Sequence, residues 1–311
     1  MMRKLTKLVC LLALALTGCE RAAEPPSESA QMWPAFEKEK AWDDLQNLID
    51  FSPRAHGTPG HRFTVNYLTS RLRANGLTPS VISFTNRTSA GLFTFHNIEA
   101  VLPGSTRDII LVTTHFDARY DGGPDFTSAN SSGSGPATLL EIARILAAHH
   151  TGRGPEIRFV FFDGMEPMVR HGFSDGLQGS RFYLRQLDEQ KRLSHVIAQI
   201  NLDLVGDRDL TITLARNLSM PLRKQLLDAA HRENARQYFR LVPVEIGDDH
   251  DPFHQRGVPA INLIDFEYGS APGRNDYWRT PEDTIDKLSP DSLDVIGRVT
   301  LRLIRDLVAA R

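Results

Sequence analysis

Cysteine is all but missing from this chain. Of its 311 residues two are cysteine, Cys10 and Cys19, and both lie near the start. The rest carries no thiol, which excludes a disulfide framework and a thiolate-held zinc. Charge of one sign is missing too: 36 Lys and Arg against 38 Asp and Glu leave a net charge of −2. The basic residues are spread out, with no stripe of interleaved aromatics, so the footprint of a nucleic-acid binder is absent. Internal repeats and a second linker are absent as well. What is present is apolar: 41% of the residues are hydrophobic, ample for a full core, which excludes disorder as the default. The length fits one large α/β domain or two small ones, and the missing second linker favours one.

The first residues read as a targeting segment. Arg3, Lys4 and Lys7 make a positive start, and Leu8 to Leu16 is an apolar run too short to span a bilayer as a mature helix. It ends in Leu16-Thr17-Gly18-Cys19, which resembles the lipobox of bacterial lipoproteins. That resemblance implies a signal over residues 1–18, cleavage before Cys19 and a lipid on Cys19 that anchors the protein to a membrane. Glu20, standing where aspartate would otherwise be weighed, implies the outer membrane, facing the periplasm. Residues 19–35 include a stretch rich in Ala, Glu, Pro and Ser and read as a tether, leaving residues 36–311 for the folded domain.

Beyond the tether, strand and helix signals alternate. Helices are expected over Ala41–Phe51, Arg62–Ala74 (closed by Gly76), Ser134–Ala148, Gln178–Leu187, Pro221–Glu233 and Ser289–Ala309, the last with Ser289 as N-cap and Pro290 at its first position. Strands are expected over Ser80–Phe84, Asn97–Leu102, Asp108–Thr114, Ile157–Phe162, Val196–Leu204 and Pro259–Ile264. Continuous apolar strands separated by helices imply an α/β three-layer sandwich with a mixed, mostly parallel sheet covered on both faces. Ligands of such sheets sit outside the carboxyl ends of the strands. The polar residues there are His115 and Asp117, then Asp163 and Glu166, then Asp203, then the segment leading to Arg279. One histidine with several carboxylates suits a borderline metal such as zinc; it equally suits carboxylates that only cap helices or meet solvent.

Several segments, in order, resemble the di-zinc aminopeptidases and their glutaminyl-cyclase relatives. They are Ser52-Pro53-Arg54 with Gly57-Thr58-Pro59-Gly60, Ser128-Ala129-Asn130 with Leu140-Glu141-Ile142-Ala143, Gly179-Ser180-Arg181, Asp248-Asp249-His250-Asp251-Pro252-Phe253, Arg256-Gly257-Val258-Pro259 and the run Trp278 to Asp283. The resemblance spans nearly the whole expected domain, and the last segments lean toward the cyclases. It implies a zinc-exopeptidase fold and a crevice built from His115, Ser131, Met165, Glu166, Asp203 and Arg279, with Asp117, Asp248, His250 and Trp278 around it.

Three of those positions depart from the family's pattern. Where the family has a bridging aspartate, a general-base glutamate and a last metal histidine, this chain has Ser131, Met165 and Arg279. A serine hydroxyl is a weak neutral ligand, methionine has no titratable proton acceptor, and a guanidinium has no lone pair for a metal. A fixed positive charge at about 4 Å would also oppose a cation by on the order of 4 kcal/mol at an effective dielectric near 20. Two readings follow. In the first, no cofactor is held: Arg279 replaces the zinc, and the chain binds a peptide, a cell-envelope ligand or a partner. In the second, one zinc stays on His115, Glu166 and Asp203 and activates water in an aminopeptidase or glutaminyl-peptide cyclotransferase.

Other motifs carry less. Gly172-Phe173-Ser174-Asp175-Gly176 matches the serine-hydrolase pattern but lacks its strand directly before and helix directly after. The Ser128 to Gly135 loop opens a helix and could seat an anion, or could be only the scaffold of a lost ligand. His149 and His150 end a helix and are expected in solvent, and His171, His195 and His254 have no ligand spacing. Tyr277 and Trp278 are placed either along the pocket or in the core.

Overall fold

A computed structural model describes residues 35–168 and 175–310. The expected signal, Cys19 and all but the last residue of the tether lie outside them, as do His171 and most of the Gly172–Gly176 motif. In chain order the larger elements are α1 (Lys38–Asp50), α2 (Pro59–Ala74), β1 (Ser80–Thr88), β2 (Gly91–Leu102), β3 (Ile109–His115), α3 (Gly135–His149), β4 (Glu156–Phe162), α4 (Gln178–Glu189) and β5 (Val196–Asp203). Then come β6 (Ile212–Leu214), α5 (Met220–Arg232), β7 (Phe239–Leu241), α6 (Asp251–Gln255), β8 (Ala260–Ile264) and α7 (Pro290–Ala309). Every expected element is found. The strands β1 and β2 are longer than expected and form an antiparallel hairpin. The parallel pair β6–β7 and the short helix α6 come in addition to the expected elements.

The main sheet has the order β1-β2-β4-β3-β5-β8. The strands β4, β3, β5 and β8 are parallel, and β2 joins them antiparallel along β4. The parallel strands are continuously apolar because both faces are covered. Ile110 and Val112 of β3, with Phe159 and Phe161 of β4, join the large core that also holds residues of α1, α2, α3, α5 and α7. Their neighbours Ile109, Leu111, Val160 and Phe162 point the other way, against Tyr183, Leu184 and Leu187 of α4 and Phe253 of α6. This period-two division between two helical layers is the expected three-layer sandwich.

The topology also places the crevice. From β3 the chain moves outward to β4, then crosses back to β5 on the other side of β3. The carboxyl end of β3 is therefore the switch point of the sheet, where a ligand can approach between diverging connections. That end carries His115. The helix α3 starts hard against it: a Cβ on Gly135 would lie 2.3 Å from Thr114 Oγ1 and 2.7 Å from the Leu202 carbonyl. Only glycine allows this approach.

Candidate functional site: a crevice with an arginine in it

His115 ends β3 and is buried. Its Nδ1 lies 3.5 Å from Asp117 Oδ1, and its Nε2 lies 3.5 Å from Asp203 Oδ1 at the end of β5. Burial works to lower the His115 pKa, but Asp117 and Asp203 outweigh it and hold the imidazole well above its ordinary value. Asp117 also fixes the backbone. Its two oxygens accept the N–H groups of Met165 and Glu166, each at 3.0 Å. The turn after β4 is thereby held, and Glu166 is set into the crevice.

The Ser131 segment is more ordered than a Gly/Ser loop. Asn130–Ser134 is a π-helical turn running straight into α3, a local geometry frequent at functional sites. Its leading N–H groups are already satisfied from within. Asn130 N and Ser131 N donate to the Asp283 carboxylate at 2.7 and 3.2 Å. The anion at this helix opening is thus the protein's own Asp283, whose pKa burial pushes up to about 6. The buried Arg54 holds the same segment by donating to the Ser128 carbonyl and Ser132 Oγ at 2.9 and 2.8 Å.

Arg279 reaches this crevice. Its Nη2 stands 2.7 Å from Glu166 Oε2, with the Arg279 side chain 18% exposed and that of Glu166 2%. The guanidinium lies over the Trp278 ring, 4.2 Å from the centroid. Burial raises the Glu166 pKa, and Arg279 followed by His115 pulls it part of the way back. The backbone at Arg279 is left-handed, with φ +59°, a region that costs a residue with a Cβ about 1–2 kcal/mol. Arg119 secures it by donating from Nη1 to the Arg279 carbonyl at 2.9 Å.

His115, Ser131, Met165, Glu166, Asp203 and Arg279 are all brought to one end of the sheet. Of the two carboxylates within reach of the guanidinium, Glu166 takes the close contact, while Asp203 faces His115. Met165, Asp203, Trp278 and Arg279 line a cavity of about 150 Å³ with Ile246, Ile264 and Phe266. Tyr277 packs on Tyr268 instead. Asp248 lies behind β5 and β8, where its Oδ2 accepts from Asn201 and Asn262. His250 stands at the N-cap position of α6. His150 is half-buried rather than in solvent, its Nε2 2.7 Å from the Pro103 carbonyl oxygen.

A zinc ion can be tested against these donors. Among the described residues, three His, Asp or Glu ligand atoms lie within 4.8 Å of one another in one group, His56, His61 and Asp163. His115, Glu166 and Asp203 do not make such a group, Glu166 is engaged by a cation, and Ser131 offers only a hydroxyl. The crevice does not fit zinc.

The sequence of this chain matches the model of peptidase family M28 over residues 97–304. It is 27% identical to a glutaminyl-peptide cyclotransferase of Drosophila melanogaster across 82% of this chain and 78% of that protein. It is 29% identical to the aminopeptidase YwaD of Bacillus subtilis (strain 168) across 73% of this chain and 46% of that one. The fold superposes on the crystal structure of an Acidobacteriales bacterium glutaminyl cyclase with a TM-score of 0.85 and 31% identity, covering 93% of this chain and all of that one. With its sheet order, its strand-end crevice and these relatives, the chain belongs to peptidase family M28, among members that include glutaminyl-peptide cyclotransferases and aminopeptidases.

Proposed function

We propose that this chain is a binding member of the family, in which a guanidinium has replaced a metal ion. In this reading it is a lipid-anchored envelope protein, held by Cys19, whose crevice receives a peptide without hydrolysing or cyclising it. The observation that carries the reading is the 2.7 Å contact between Arg279 and Glu166. Three carboxylates, Asp117, Glu166 and Asp203, converge on a buried crevice, and such a group needs compensating positive charge. Arg279 supplies one charge permanently, and Asp117 and Asp203 hold the His115 pKa well above its ordinary value, which favours a second. The base position is Met165, so nothing at that position can take a proton from water or an attacking amine. The cavity beside it, about 150 Å³, has room for roughly one amino-acid side chain, at about 30 Å³ per displaced water. Its walls are mostly apolar, with Asp203, Glu245 and Arg279 available to orient a charged or amide end.

The test is turnover of glutaminyl and aminoacyl peptides by the purified protein, with added zinc and separately with a chelator. No cyclised or hydrolysed product is expected under either condition. Turnover that a chelator stops, and that His115→Gln abolishes, would favour the single-zinc reading on His115, Glu166 and Asp203 and end this one.

A further inference from the structure

A second polar cluster lies outside the crevice, on the side of β4 facing the start of α2. Asp163 follows β4 directly and is fully buried. Its Oδ1 lies 2.9 Å from His61 Nε2 and 3.9 Å from His56 Nδ1. Its Oδ2 is fixed by the His96 backbone N–H at 2.7 Å. The His61 and His56 side chains are 3% and 10% exposed. The rings are wedged among Phe93, Phe95 and Phe116, with centroids 4.8 to 5.4 Å away.

A plain ion pair explains only part of this. Asp163 with a protonated His61 is a complete pair. It leaves His56 Nδ1 buried, without a hydrogen-bond partner, and aimed at Asp163 from 3.9 Å, too far to bond to it. A buried nitrogen lone pair beside a carboxylate and a second imidazole is what a metal ion would satisfy. The spacing agrees. Ligand atoms on a tetrahedral zinc, with bonds of about 2.1 Å, stand about 3.4 Å apart, and the two distances to Asp163 Oδ1 bracket that value. The held Oδ2 supplies the outer hydrogen bond that orients a ligating carboxylate.

We propose that His56 Nδ1, His61 Nε2 and Asp163 Oδ1 bind one divalent first-row transition-metal ion, with Zn²⁺ the ion to which two imidazoles and a carboxylate are suited. The remaining position goes to water, on the side where His56 is least covered. The ion clips the start of α2 and the segment before it to the residue following β4, three residues before Glu166. This site shares no donor with the crevice, and its occupancy is independent of what the crevice binds.

The experiment is a Zn²⁺ titration of the purified full chain after chelation, with Co²⁺ absorption as a second readout. About one Zn²⁺ per chain is expected, with a Co²⁺ spectrum of low-symmetry nitrogen and oxygen ligation. His56→Phe fills a slot already lined by phenylalanines and removes one donor. It should weaken Zn²⁺ by at least about a hundredfold and abolish the rise in melting temperature that Zn²⁺ gives the parent. His115→Gln and Asp203→Asn, in the crevice, should each leave the titration unchanged. Absence of Zn²⁺ binding to the parent, or binding that survives His56→Phe, overturns the proposal. Binding lost in both crevice variants and kept in His56→Phe overturns it too, and would also place the metal where the proposed function needs none.

Discussion

At Arg279, one side chain carries most of what is unusual in the crevice. It sits on strained backbone, stacks on Trp278 and neutralises a carboxylate that is almost wholly buried. Arg279→Ala should therefore destabilise the protein by more than a surface ion pair would. Loss of a fully buried pair costs about 3–5 kcal/mol; with Arg279 partly open to solvent, about 1–3 kcal/mol is expected here. Glu166→Gln in the Arg279→Ala background should recover most of it, because the uncompensated charge is then gone. Chemical denaturation of the two single variants and the double variant measures this coupling. Additive effects would mean that the pair is not held in solution. The three departures at this site are readable from sequence, because the family resemblance implies a metal ligand at Ser131 and at Arg279 and a general base at Met165, and none of these residue types serves that role well. The partner chosen by Arg279 is not, since Glu166 and Asp203 follow different strands and only the packed turn after β4 decides which one faces the guanidinium.

Elements differ in how much of themselves the sequence displays. The strands β3, β4, β5 and β8 announce themselves through unbroken apolar runs, because both faces are buried. The three-residue strands β6 and β7 have no such run, and neither residue pattern nor length separates them from loop. The π-helical turn at Asn130 depends on Asp283, some 150 residues later in the chain, and has no local signal. The pairing of His56 with His61 is hidden in the sequence for the same reason. Five residues apart, they do not share a helix face, and the Asp163 they meet follows β4, about a hundred residues later in the chain. The segment leading into α6 gives a prediction at this scale. His250, buried at its start, is pushed by burial down to a pKa of about 3, against about 6.5 when unfolded. It stays neutral in the folded chain while the unfolded chain takes up a proton. Its contribution is present above about pH 6.5, is lost as pH falls toward 3, and amounts to at most about 5 kcal/mol. His250→Gln cannot titrate. The stability gap between the parent and His250→Gln, followed by thermal melts from pH 7 to pH 4, should shift against the parent as pH falls. A constant gap would contradict a neutral buried imidazole.

For the whole molecule, the proposed reading is that the fold has been kept while the chemistry has changed. The sheet order, the switch point at His115 and the resemblance to a glutaminyl cyclase structure all keep the family's architecture. The donor set at the switch point does not fit zinc, and the one convergent ligand group among the described residues lies elsewhere. The central claim is that Arg279 occupies the role of the ion. It is tested most directly by counting zinc in the crevice alone. The measurement is bound zinc per chain after equilibrium dialysis, in a His56→Phe background that silences the outer site. It compares the native crevice with the triple variant Ser131→Asp, Met165→Glu, Arg279→His. The account predicts essentially no zinc in the first and about one equivalent in the second, as expected when carboxylate and imidazole ligands are restored. One equivalent of zinc in the chain that still carries Arg279, lost on His115→Gln, would contradict it.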